Sequence, residues 1–523
     1  MDIVGNKTLR SLWDDLAAAH GEKTALVFED AEGNTREYSY QGLNSEINRA
    51  ANAFLALGLG KGDVVALQMC NSPELVICWY GLAKIGAVMA PINTQYVAGE
   101  CEYIVDKCGA RTVIAEEGYL QTFLKLNEDG ARSFKTLIAA RLEAEREVPG
   151  AFNLTKLMRG QSPELASDIP LVSGDPAEIL FTSGTTDRPK GALLTHHNLI
   201  FSGHYTIWLL SMRPDDRYLT MMPGFHIDFQ CSAAMPTFMV GGTLLVLERY
   251  SARRFWSQIC LHRATLTECI PLMVRTLMLQ PRRSWERGHC LREVFFCLTI
   301  TDQEKRDFEE RFGVTMLNSY GMTETLVGLT GDLPGEKRIW PSIGKAGLEY
   351  QAKIVNEAGV EMPARSIGEI LVKGVPGKTI FKEYYRDPEA TAKALSPDGW
   401  LRTGDNGWMD ENGVFYFVDR DVDMIKRSGE NISSTEIESL LNSHPKIAES
   451  AVIGVPDTIR DEAVKAFVML KKGETLTPEE IIAYCAERMA RFKVPSCVEL
   501  CDSFPRTCTG KVQKKGLKGC KND

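Results

Sequence analysis

The chain has 523 residues, enough for about three or four domains or subdomains around a large buried core. Its 60 Lys and Arg against 69 Asp and Glu leave a formal charge of −9 and a pI of about 5.6, so no overall basic field exists to hold a nucleic-acid backbone. Hydrophobic residues at 44% and charged residues at 25% exclude the disordered and collagenous classes.

Along the chain, Leu9, Leu12, Trp13 and Leu16 predict a helix with one buried face, and the start has neither the basic leader nor the apolar stretch of an export signal. Residues 63–92 read as one βαβ unit, with Asp63 to Leu67 extended, Ser72-Pro73 opening a helix that closes near Gly86, and Val88 to Pro91 extended again. That alternation continues in diluted form to about residue 250 and predicts an α/β protein with largely parallel sheets. Phe229 to Leu247 lacks charge, but Gln230, Ser232, Pro236 and Gly241-Gly242 interrupt it, so buried structure is expected and no membrane span. From 340 to 420, short apolar runs broken by Gly, Pro and Asp-Gly predict hairpins in a small barrel or meander. A boundary near 420 divides the chain into 1–420 and 421–523. The second part carries strands at Ala451 to Gly454 and Val464 to Leu470 and a helix from Thr477-Pro478. Fourteen cysteines without a C-x-x-C pair predict reduced thiols in a cytoplasmic protein, with no structural zinc.

The most informative stretch is Thr182-Ser183-Gly184-Thr185-Thr186-Asp187-Arg188-Pro189-Lys190-Gly191, between two strand-like runs. Glycine lets backbone amides converge on an anion, hydroxyls add donors, and Lys190 supplies a charge, so the loop suits a polyphosphate. On composition alone, a polar hairpin turn stands equally open. The Walker A pattern fails, because Val372 stands where Gly377-Lys378-Thr379 needs an upstream glycine. Further on come Tyr320-Gly321-Met322-Thr323-Glu324, Thr403-Gly404-Asp405, Asp419-Arg420, Ser428-Gly429-Glu430-Asn431 and Pro505 to Lys511.

Together, and in this order, these stretches resemble the motifs of the adenylate-forming enzymes, the superfamily of acyl-CoA synthetases, luciferase and peptide-synthetase adenylation domains. Met222 to Asp228 and Thr267 to Pro271 are similar to the CoA ligases within it that act on carnitine, crotonobetaine or γ-butyrobetaine. The resemblance implies a large N-terminal domain of two α/β subdomains plus a small β-barrel, followed by a small mobile α+β C-terminal domain. It implies a two-step, AMP-forming reaction in which a carboxylate attacks the α-phosphate of ATP and the CoA thiol then displaces AMP. ATP, Mg²⁺ and coenzyme A are the implied cofactors and co-substrates.

The implied site residues follow motif by motif. Thr182, Ser183, Gly184, Thr185, Thr186 and Lys190 hold the β- and γ-phosphates. Glu324 coordinates Mg²⁺, Thr323 contacts the α-phosphate, and Tyr320 stacks along adenine. Asp405 and Arg420 reach the ribose hydroxyls, although Thr403 to Asp405 alone reads as an Asx-type turn. Lys511, on the mobile domain, bridges carboxylate and α-phosphate during adenylation, and Gly429 lines the pantetheine tunnel. For His226, near the acyl site and thiol path, gating and a purely structural place stay equally open.

Two departures from the family pattern stand out: Val422 where a hinge acid is usual, and Phe295 to Thr301 in place of a Gly-Gly-Ala-like turn against adenine. The expected partners are a small-molecule acid, ATP and CoA, with no nucleic acid, and a CoA-transferase or dehydrogenase further along the pathway. A trimethylammonium acid needs an aromatic or acidic cage, for which Trp208, Phe225, Phe229 and Trp340 are candidate walls. The alternatives are an adenylating enzyme or CoA ligase for another small, aryl or fatty acid, one that loads a free carrier protein, and a silent nucleotide-binding scaffold. Against the last stand Glu324 and Lys511.

Overall fold

Val64–Gln68 and Val88–Pro91 pair in parallel, and the helix Pro73–Lys84 crosses between them. Ser72 caps that helix by accepting from the Leu75 N–H at 3.2 Å, and Pro73 occupies the first turn, where a missing N–H leaves nothing unpaired. The structure, a computed structural model, describes residues 2–128, 134–182, 188–297, 300, 302–326, 328–356, 358–420, 424–505, 512 and 514–517.

Two large sheets make up most of residues 2–346. In one, the strands Val88–Pro91, Val64–Gln68, Thr112–Glu116 and Thr136–Ala140 run parallel, and the hairpin Pro176–Thr182 and Lys190–Thr195 extends the sheet beyond Val88–Pro91. In the other, Arg217–Thr220, Leu266–Cys269, Glu293–Cys297 and Met316–Tyr320 are successive parallel neighbours. Their carboxyl ends therefore line one edge, the side on which open parallel sheets bind ligands. Asp228–Ala234 winds as a π-helix, then Met235–Met239 as an α-helix and Thr243–Leu247 as a strand, all well packed, as expected for the uncharged stretch. No helix among the described residues is long and apolar enough to cross a membrane.

The hairpin-rich region folds as a four-stranded antiparallel sheet of Gln351–Val355, Gly368–Lys373, Trp400–Met409 and Phe415–Arg420. After residue 424 a new sheet begins, with Met424–Arg427, Glu430–Ser433, Ile447–Asp457, Asp461–Leu470 and Cys497–Leu500. It has its own core, including Ile425, Ile432, Ile437, Val452, Val464 and Ile481. The strands around 451 and 464 run longer than the apolar pattern shows, because their pairing continues through polar ends to Asp457 opposite Asp461.

Candidate active site

Thr182 stands opposite Lys190 as the last described pair of the antiparallel hairpin. Ser183, Gly184, Thr185 and Thr186 lie outside the described residues. The Lys190 ammonium sits 5.1 Å from the centre of the Tyr384 ring, and the Tyr384 phenol donates to Glu324 Oε1 at 2.6 Å. Strand pairing produces this meeting, since Tyr384 faces Ala192 across a short ladder. Glu324 lies in the single 3₁₀ turn Thr323–Thr325, is 4% exposed, and its backbone carbonyl accepts from Phe381. Burial, then the Glu324 charge, raises the Tyr384 phenol well above its usual value, so it stays a donor. Tyr384 was not singled out from the sequence, because no fixed spacing links it to Glu324; only the ladder brings them together.

A second meeting joins Tyr320, at the carboxyl end of Met316–Tyr320, to Asp405. The phenol donates to Asp405 Oδ2 at 2.6 Å, and Asp405 is 1% exposed. The local side-chain bond of an Asx-type turn is kept, but it is built into a strand. Thr403 to Asp405 lie inside the strand Trp400–Met409, where Gly404 takes φ 71° at an irregularity of the ladder. There the Thr403 hydroxyl donates to the Ile370 carbonyl and accepts from the Asp405 N–H. Asp405 is the direct ladder partner of Arg420, so the backbone places the two expected ribose contacts opposite each other. The Arg420 side chain is not among the parts described, and Lys511, Val422 and 298–299 lie outside the described residues.

A cleft of about 1180 Å³ separates the strands after 424 from the earlier sheets, with Met222, Phe225, Ile270, Ser428, Glu430 and Arg460 among its lining residues. Ser428 and Gly429 both take positive φ, 55° and 84°, as a two-residue type I′ hairpin requires. A Cβ on Gly429 would lie 2.9 Å from Ile270 Cδ1, so glycine allows this turn to rest against the larger part of the molecule. His226 is exposed, and its Nδ1 accepts from the Asp228 N–H at 3.3 Å. Burial raises the Glu430 carboxyl above its usual range, and the charges of His226 and Lys493 oppose that rise.

The four aromatic residues considered for a cage do not meet one another. Phe229 is fully buried, and Trp208 packs edge-on to Tyr205. Trp340 donates to Asp302 and lies under Lys305, and Phe225 alone of the four lines the cleft. Sequence spacing carries no information about ring contacts between distant segments.

A family model described as AMP-binding enzyme matches residues 13–385, and one described as AMP-binding enzyme C-terminal domain matches 436–511. The chain belongs to the AMP-binding enzyme family. This AMP-binding enzyme is 52% identical over 520 residues to the crotonobetaine/carnitine–CoA ligases of Salmonella typhimurium and Salmonella typhi, covering 99% of the chain and 100% of each relative. Among solved structures it is similar to o-succinylbenzoate CoA synthetase from Bacillus subtilis bound with a product analogue, at TM-score 0.84 and 25% identity over 99% of both chains. ATP-bound MatB from Rhodopseudomonas palustris follows at TM-score 0.71 and 29% identity over 98% of both. In this AMP-binding enzyme Lys190, Tyr320, Glu324 and Tyr384 fall within the first matched span, while Asp405 and Gly429 lie between the two.

Proposed function

We propose that the protein is an ATP-dependent, AMP-forming CoA ligase acting on carnitine, crotonobetaine or γ-butyrobetaine. The observation that carries this reading is the linked set Lys190, Tyr384 and Glu324, beside the Tyr320–Asp405 pair at the carboxyl edge of a parallel sheet. Full-length similarity to ligases of that name supports the substrate.

In the first step Thr182, Ser183, Gly184, Thr185, Thr186 and Lys190 grip the outer phosphates, Thr323 holds the α-phosphate, and Asp405 with Arg420 orients the ribose beside Tyr320. Lys511 brings a cation to the α-phosphate as the carboxylate attacks and pyrophosphate leaves. Glu324 offers a carboxylate held by a neutral phenol, a set suited to Mg²⁺, which takes few protein oxygens and completes its shell with phosphate and water. When bound, that ion supplies charge neutralisation along the phosphates. The cleft then serves the second step. Arg249, Arg427, Arg460 and Arg491 line it and suit the phosphates of CoA, and Gly429 leaves room for the pantetheine arm toward His226. Passage from the first step to the second requires movement of the 421–523 domain that carries Lys511. We place the reaction in the cytoplasm, in keeping with the unpaired state of every cysteine among the described residues.

The test is pyrophosphate release over a panel of acids with and without CoA. Signal with crotonobetaine or carnitine plus a CoA thioester supports the reading, and signal with long-chain or aryl acids alone refutes the betaine substrate.

A further inference from the structure

Glu178 and Glu268 are fully buried with no ion pair to Lys or Arg among the described residues, and the half-buried Asp228 has none among them either. Glu178 is bonded to Gln230 and belongs to the phosphate-loop sheet. The other two are neighbours at the carboxyl edge described above. Glu268 is the penultimate residue of the parallel strand Leu266–Cys269, opposite Phe295. It is 1% exposed, and both of its oxygens are held, Oε1 by the Thr220 hydroxyl and Oε2 by the Tyr218 phenol at 3.2 Å. Asp228 opens the π-helix Asp228–Ala234, two residues after His226. Its Oδ1 is shielded from water and has no hydrogen-bond partner. Beside it stands Ser232, fully buried, whose hydroxyl likewise lacks a properly placed partner.

A buried acid pair without a cation is costly, and natural interiors rarely leave such oxygens unmatched. Burial raises both carboxyls, and the charge of Asp228 adds to the rise at Glu268. A resident metal does not fit, since among the described residues no group of three His, Cys, Asp or Glu is placed to hold one. A primary ammonium does not fit either, because it needs three acceptors and Glu268 already spends its oxygens on hydroxyls. A quaternary ammonium donates no hydrogen bond, is weakly hydrated, and asks only for negative charge and a wall of carbon or ring atoms. Tyr218, Phe295 and Cys297 supply that wall around the strand ends.

We propose that Asp228 and Glu268 form the seat for the trimethylammonium head of the acyl substrate, with Tyr218 and Thr220 fixing the Glu268 carboxyl. The proposal rests on the betaine reading above and assigns its specificity to charge in the acyl pocket in place of an aromatic cage. Glu268 lies at the same carboxyl edge as Tyr320, two strands away in the parallel sheet, so a short acid seated there directs its carboxylate toward the nucleotide side.

The test compares crotonobetaine with its uncharged tert-butyl isostere, in which carbon replaces nitrogen, by pyrophosphate release in the wild type, Asp228→Asn and Glu268→Gln. The expected result is a loss of about a hundredfold in kcat/KM for crotonobetaine in each variant, with the isostere unchanged or improved. Asp228→Glu, which keeps the charge, should retain preference for the betaine. Equal losses for both acids overturn the proposal while leaving the betaine reading intact. A wild type that activates the isostere and no betaine overturns both. Should the variants fail to fold, tetramethylammonium must still inhibit wild-type turnover of the isostere competitively, and absence of inhibition overturns the proposal.

Discussion

Lys493 and Glu100 meet at 2.8 Å across the junction between the C-terminal sheet's domain and the first large sheet, and Lys493 is 2% exposed. The same ammonium reaches Glu436 at 2.8 Å and lies 4.6 Å from the centre of the Tyr96 ring, while Glu100 Oε2 accepts from the Ala490 N–H. Burial works against the charge of Lys493, but Tyr96, Glu436 and Glu100 more than offset it and hold its pKa above the usual value. Glu100 and Tyr96 belong to one side of the junction, Glu436 and Lys493 to the other, so this pair stabilises one relative placement of the two parts. In that placement the turn at Gly429 lies close against Ile270 and the cleft proposed for CoA is formed.

Glu100→Gln should therefore slow thioester formation from supplied acyl-adenylate by about tenfold while leaving pyrophosphate release within about twofold. Single-turnover measurements of the two half-reactions check this. Equal slowing of both steps would contradict a role confined to one placement.

Glu324→Gln should lower adenylation by about a hundredfold or more, and Tyr384→Phe by about tenfold, since the phenol orients the carboxylate without carrying its charge. Titration of activity with Mg²⁺ separates them: Glu324→Gln should need far more of the ion, and Tyr384→Phe modestly more.

Gly429→Ala puts a Cβ at φ 84° and 2.9 Å from Ile270 Cδ1, a strain of about 1 kcal/mol before any repacking. We expect a raised KM for CoA with little change in adenylation. Ile270→Ala in the same chain should recover part of the loss, which steady-state kinetics at varied CoA would reveal.

Lys511→Ala should cripple pyrophosphate release yet leave thioester formation from supplied adenylate mostly intact, because the cation is needed only while the α-phosphate is under attack. Loss of both steps to the same degree would refute domain alternation.

His196 is fully buried, and its Nδ1 accepts from the Leu9 N–H at 3.3 Å. Burial pushes its pKa down to about 4, with Asp175 opposing and Arg10 and Lys61 reinforcing. A group whose folded pKa lies below its unfolded value contributes stability that is complete above the unfolded pKa, near 6.5, and is lost as pH falls toward the folded one. About 3 kcal/mol should thus disappear between pH 6.5 and 4. Urea unfolding across that range should show a steeper decline in the wild type than in His196→Gln, and parallel curves would rule the account out.

Much of the architecture was legible because local rules suffice for it. Ser72-Pro73 starts a helix through its own cap, and Leu9, Leu12, Trp13 and Leu16 mark a buried stripe by spacing alone. The ordered motifs from Thr182 onward likewise pointed to the chemistry, through their resemblance to those of the adenylate-forming enzymes. Those parts belong to the one-dimensional chain. What it could not reveal are contacts made by tertiary packing of distant segments: Tyr384 onto Glu324, Tyr320 onto Asp405, and Lys493 onto Glu100. Thr403 to Asp405 show the same limit: their local turn bond is present, yet the stretch lies within a strand because neighbouring strands pair before and after it. A side chain's neighbours across a sheet depend on which residues stand opposite, and that register is set by packing of the whole core, which no single segment encodes.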